Sequence, residues 1–321
     1  MSPRTVPGPR RFTLALLIIT VPLLLALLGP LFAGEPGPRA ASFTLGGGHW
    51  AGTDFVGRDV WRQLLLGGRP VVLTALAATA LAYAVAIPLG LIAALTHRGW
   101  LEELLMRPLD VLLAVPSLLF LLLVAAVLTP DAGGLALLVA LVNIPDAVRA
   151  VRAATAEAAA RPAVEALRMQ GETWWRTAIG YVGRSALRTL AADAGVRLTG
   201  VLYLVATAAF LGVGAEPDAA DWAVMVDRNR TGMFIQPWAV VLPAVLIMAL
   251  TMGTNLLFDA ALTRRDRGPG RERRGRRFAP DRRDQGPAQD RAPRPARTPA
   301  PPPTDGPPRA PGRDEKSNPC T

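Results

Sequence analysis

The chain of 321 residues has a net charge of +10, and 51% of its residues are hydrophobic while only 6% are aromatic. The apolar residues fall in blocks of about 20, the length that crosses about 30 Å of hydrocarbon, and are not dispersed as in a soluble domain of similar composition. Beyond Leu262, 16 Arg or Lys face 8 Asp or Glu, so the basic character belongs to a tail and not to a folded nucleic-acid-binding domain. The single cysteine, Cys320, excludes an intrachain disulfide and a cysteine metal site. His49 and His97 lie on opposite sides of an apolar block and read as loop residues, so no metal site is expected.

Arg4, Arg10 and Arg11 precede an apolar run at 12–32. It exceeds the core of a secretory signal, about 7–15 residues, and reads as an uncleaved first span. A polar stretch follows at 33–69, then a second span at 70–95 holding Pro88 and Gly90. Beyond a charged loop with His97, Arg98, Glu102, Glu103 and Arg107, a third span is expected at 109–128, with Pro116 inside it. A turn at Pro130, Asp131 and Gly133 leads to a weaker fourth span, 134–148, interrupted by Asn143, Pro145 and Asp146. Such polar groups at membrane depth face protein or a water-filled cavity. The segment 149–193 is polar or amphipathic and reads as helices outside the hydrocarbon. The fifth span, 194–213, has Arg197 near its start, placed to snorkel to the interface. The acidic loop 214–236 and a sixth span at 237–262 follow. Residues 263–321 are rich in Pro and Arg and hold too few apolar groups to offset the entropy of ordering, so they are expected to be disordered.

The chain thus divides into an N-terminal part (1–69), a membrane core (70–262) with a long inside segment at 149–193, and a tail (263–321). Arginines favour the termini and the 149–193 segment as the cytoplasmic side, which makes an all-α, multi-pass inner-membrane protein with both termini inside.

Catalytic signatures are missing. The only lysine, Lys316, has no glycine directly before it, so no phosphate-binding G-x-x-x-x-G-K-[ST] loop exists. No catalytic, cofactor or metal residue is expected on this chain. The informative stretch is Val164-Glu165-Ala166-Leu167-Arg168-Met169-Gln170-Gly171, followed by Trp174-Trp175. It reads as two short helices joined where Gly171 takes a positive φ. Val164 and Leu167 stand one turn apart as apolar knobs. Residue types leave two readings open: docking into a partner's groove, or lying on the membrane surface.

Glu165-Ala166-Leu167 with Gly171 resembles the E-A-A-x-x-x-G loop of binding-protein-dependent ABC importer permeases. Gly52-Thr53-Asp54-Phe55-Val56-Gly57-Arg58-Asp59 resembles the G-T-D-x-x-G-R-D signature of one permease subunit type in the dipeptide, oligopeptide and nickel branch. Further collinear matches include Ile87-Pro88-Leu89-Gly90, Phe210-Leu211-Gly212-Val213-Gly214, Asp221-Trp222 and Pro237-Trp238. The chain departs from the family at Leu167, where an alanine is usual, at Tyr181–Ser185, which lacks the usual proline, and at Asp221-Trp222-Ala223 in place of Ser-Trp-Gly. The resemblance implies a type I importer permease fold with about six spans. It makes Glu165, Ala166, Leu167, Gly171, Trp174 and Trp175 a coupling loop for a separate ATPase, and Gly52, Thr53, Asp54, Gly57, Arg58 and Asp59 a signature ahead of the second span. Thr53 or Asp54 is expected to cap that span's helix. The implied partners are a second permease subunit, two ATP-binding subunits that hold the ATP, and an extracytoplasmic substrate-binding protein, alongside membrane lipids and no nucleic acid. Peptides, nickel or similar solutes are the implied cargo; a non-transporting scaffold or sensor on the same fold is the alternative.

Overall fold

The computed structural model describes residues 9–265 except 47, 97, 98, 215 and 217. His97, Lys316, Cys320 and the tail beyond 265 lie outside the described residues. The chain folds into α1 (Pro9–Phe32), α2 (Val60–Leu95), α3 (Gly99–Ala114), α4 (Ser117–Leu128), α5 (Ala132–Ala159), α6 (Pro162–Met169), α7 (Arg184–Phe210), α8 (Trp222–Asn229) and α9 (Trp238–Arg265). A π-helical stretch, Arg176–Gly183, runs directly into α7.

Among the described residues, five helices are long and apolar enough to cross a membrane: Thr13–Phe32, α2, α5, the continuous Arg176–Phe210 and Trp238–Asp259. The expected third span is not one straight helix. Its apolar residues divide between α3 and α4, which meet at 86°. Pro116 lies at the break: it has no N–H to donate and forces Val115 out of the helical region. The segment 149–193 is also more continuous than expected, since α5 runs on to Ala159 and α7 begins at Arg184.

α2 is the central strut, packed along α5, with α1, α7 and α9 around it. One apolar core joins Val71, Ala75 and Ala78 of α2 to Val139 of α5, Val201 and Val205 of α7, and Leu250 of α9. Leu121, fully buried, and Ala125 pin α4 into it. Polar groups inside the spans turn to protein. Asn143 Nδ2 donates to the Val139 carbonyl at 2.7 Å. Arg197 does not snorkel: its Nε meets Asp193 Oδ2 at 2.7 Å, and its Nη2 donates to the Asp146 carbonyl at 2.9 Å. Tyr83 of α2 donates to the same Asp193 carboxylate, so α2, α5 and α7 share one polar knot. α3, which buries no residue fully, is held to α5 by the pairs Asp110–Arg149 and Glu102–Arg152.

The loop expected at 214–236 contains α8, folded against the outside of α2. Trp222 is completely buried, and its Nε1 donates to the Leu64 carbonyl at 2.8 Å. The indole fits because Gly67 and Gly68 stand opposite it; a Cβ on Gly68 would meet both the indole and Ala26 of α1. Asp221 caps α8, accepting from Ala223 N at 2.8 Å and Val224 N at 3.4 Å. Burial raises its pKa from 3.8 to about 6, although those two N–H groups pull the other way.

Two outcomes follow from this packing. Gly68→Val should lower the thermal stability of the detergent-solubilised chain by about 1–3 kcal/mol through overpacking, while Gly200→Ala, at a position with open space around it, should be neutral or stabilising by about 1 kcal/mol. For Asp221 the folded-state pKa lies above the unfolded one, so the native chain holds the extra proton between them and this group's contribution to stability falls as pH rises from 3.8 to about 6. Asp221→Asn retains a capping oxygen and removes the buried charge. Unfolding melts should show the Asp221→Asn variant gaining stability over wild type above about pH 6, and no gain near about pH 4.

Candidate functional site

The segment 162–175 sits where α2 ends and the π-helical stretch begins. Pro162, which lacks an N–H that the first helical turn would leave unpaired, starts α6. Gly171 ends it with φ +77°: its N–H donates to the Arg168 carbonyl at 3.0 Å, and Glu172 N–H to the Leu167 carbonyl at 3.1 Å. This paired closure satisfies two terminal carbonyls and depends on a residue that enters the left-handed region without cost. Glu172 then pairs with Arg176 at 3.2 Å as the next helix starts.

Val164 is not the exposed knob the sequence suggested. It is 1% exposed and packs with Leu91 and Leu95 of α2, Ala158 of α5, and Ala178 and Val182 of the π-helical stretch. It is the anchor by which α6 holds three other elements. Glu165, Arg168 and Met169 face outward, Ala166 and Leu167 are half-buried, and Gly171 is exposed. Trp174 and Trp175 are both exposed and meet edge to face, with centroids 4.7 Å apart. Met169, at 78% exposure, is an outward apolar side chain the sequence reading did not single out.

At the opposite end of α2, the second motif forms a closed knot. Gly52 and Gly57 have φ of +72° and +79°. Thr53, fully buried, donates to the Ala41 carbonyl at 2.7 Å and accepts from Thr44 N at 2.9 Å. Asp54 accepts from Val56 N at 3.0 Å and Arg58 N at 2.7 Å; burial nonetheless raises its pKa. Neither residue caps α2. Asp59 does so, accepting from Trp61 N at 3.1 Å, because the turn ending in Arg58 places Asp59 immediately before the first helical residue. Arg58 reaches Asp218 at 3.1 Å, and Phe55 N donates to Asn229 Oδ1 at 2.9 Å. Gln236 caps α9 through Ala239 N and also donates to the Ala51 carbonyl. The knot therefore ties the 33–59 linker to both ends of the α8 segment. Asn229, Gln236 and Tyr83 carried no signal in the sequence, since each works through a partner more than 100 residues away.

Among the described residues no group of three or more His, Cys, Asp or Glu is arranged to hold a metal.

Residues 86–267, more than half the chain, match the family described as binding-protein-dependent transport system inner membrane component. The chain is 29% identical over 257 residues to a probable D,D-dipeptide transport system permease of Escherichia coli, covering 78% of this chain and 85% of that protein. It is 30% identical to a dipeptide transport system permease of Haemophilus influenzae (65% and 70% covered), and 28% identical to a glutathione transport system permease of Pectobacterium atrosepticum (66% and 70%). The matched region contains the Val164-anchored α6 and every span from the end of α2 onward. The chain belongs to the family of binding-protein-dependent transport system inner membrane components, and is an all-α, multi-pass inner-membrane permease subunit of an ABC importer.

Proposed function

We propose that this permease forms half of the pathway of an importer for short peptides or peptide-like solutes, driven by separate ATPase subunits that dock on α6. The observation that carries the proposal is the construction of α6: an outward face of Glu165, Arg168 and Met169 beside Trp174 and Trp175, with Val164 holding the helix to the ends of α2, α5 and the π-helical stretch. A push on α6 reaches three spans through one buried side chain. The π-helical stretch supplies a locally irregular hydrogen-bond ladder between α6 and the spanning part of α7, a common place for bending. In this reading both termini and α6 are cytoplasmic, in keeping with the arginines at 149–193. The knot at 52–59 and α8 form the outer face offered to a substrate-binding protein. Peptides are preferred to nickel because the relatives named above carry dipeptide, D,D-dipeptide or glutathione in their names. ATP is held by the partner subunits, since this chain has no phosphate-binding lysine loop. ATP drives transport by binding one arrangement of the assembly more tightly than the other.

Purifying the tagged chain from its native membrane should bring down a second permease and a P-loop ATPase; recovery of the chain alone would count against the assembly. Gly171→Val places a β-branched residue at φ +77°. Peptide uptake should fall by about ten-fold or more, while ATP hydrolysis by the assembled complex loses its stimulation by loaded binding protein. Val164→Ala should weaken the α6 anchor by about 1–3 kcal/mol and reduce uptake per ATP hydrolysed, with the spans still folded by circular dichroism.

A further inference from the structure

Beside the coupling segment lies a groove of about 390 Å³ whose lining is almost wholly apolar. One wall is Ile87, Pro88, Leu91 and Ile92 of α2; the other is Ile179, Leu187 and Leu190 of the π-helical stretch and α7. Ile179 and Leu187 are 59% and 61% exposed, and Trp175 stands at the rim at 67%. The groove lies within the last three turns of α2 and the first turns of α7, so it is at the level where these helices leave the hydrocarbon. Arg176–Phe210 has 35 residues, whereas about 20 span the core, and its surplus at this end carries the charges. Arg184 also lines the groove, and Arg188 follows one turn later beside it. Among the described residues neither guanidinium has an acidic partner, in contrast to Arg149, Arg152 and Arg197.

We infer that this groove is a binding site for an anionic phospholipid, with an acyl chain between α2 and α7 and the headgroup phosphate on Arg184 and Arg188. The lining is what a hydrocarbon chain requires. Two unpaired arginines at the rim supply the charge complement that a phosphate meets with several N–H donors. Trp174 and Trp175 both line the groove, and indoles are favoured where hydrocarbon meets water. A protein segment filling the same groove would have to bury both guanidiniums against acids of its own. The occupied groove would splint α2 to α7 next to Val164, so lipid composition would affect how firmly α6 is held. The site concerns this chain's own surface and stands independently of the cargo proposed above.

The test is native mass spectrometry of the full-length chain, with any co-purifying subunits, released from micelles supplemented with either phosphatidylglycerol or phosphatidylcholine. Phosphatidylglycerol should stay bound while phosphatidylcholine is stripped. Arg184→Gln with Arg188→Gln should weaken retention by about 30-fold, from about a factor of five per arginine at a membrane surface. Leu187→Glu, which places a negative charge in the groove, should abolish it, and Arg107→Gln, at an exposed arginine on α3, should leave it unchanged. Equal retention of the two lipids, wild-type retention in the double variant, or a cysteine at Leu187 cross-linking to another importer subunit in place of lipid would overturn the assignment.

Discussion

In hydrocarbon every span satisfies its own backbone, so helices gain nothing from burying apolar side chains against one another that lipid would not also supply. What holds this bundle in one arrangement is close approach at glycines. Gly29 of α1 meets the Leu65 backbone, Gly90 of α2 meets Val151, and Gly253 of α9 meets Ile19. These contacts bring α1, α2, α5 and α9 near enough for dispersion to matter and leave no room for a side chain. The Trp222 indole over Gly67 and Gly68 is the same device supplied by α8, a helix turned back from a loop to close the start of α2.

Charge is used differently along the length of α2. At its start the motif at 52–59 is satisfied internally, by backbone N–H groups and the Arg58–Asp218 pair, and makes a stiff collar. Midway, Tyr83, Asp193, Arg197 and the Asp146 carbonyl tie α2, α7 and α5. The ordering cost of that knot has been met within the protein, which is why Arg197 does not reach for the interface. Toward its end α2 makes apolar contacts, through Leu91 and Leu95 to Val164. Polar links that break reluctantly therefore occupy the far end and the middle, and the contact nearest α6 is one that can slide.

The order of the spans, and five of the six, were legible because 20-residue apolar runs have few alternative meanings. So was the positive φ at Gly171. What the sequence concealed were interruptions and continuities that apolarity does not encode. Leu109 to Leu128 reads as one run, yet a proline with no N–H at 116 turns it by 86°. The segment from Arg149 onward looks polar enough to leave a helix, yet α5 continues because Thr155 and Ala158 are buried on one face while Arg149 and Arg152 pair with α3 on another. Val164 is ambiguous in sequence for a related reason: an apolar residue on a short amphipathic helix faces either a partner or its own fold, and only the position of Leu91, Leu95 and Val182 decides between them.

That distinction bears on mechanism. If Val164 were a docking knob, α6 would be loosely tethered and an incoming subunit would supply most of its order. As an anchor, it leaves charge and Met169, Trp174 and Trp175 for the docking face proposed above, and makes α6 part of the bundle in this chain alone. Its stiffness then depends on how closely α2 and the π-helical stretch are held together. Those are the two walls of the groove that ends in Arg184 and Arg188. In the function proposed above, whatever fills that groove acts on the same pair of helices that α6 would move, and so would set how much of a push at Glu165 and Met169 reaches the spans.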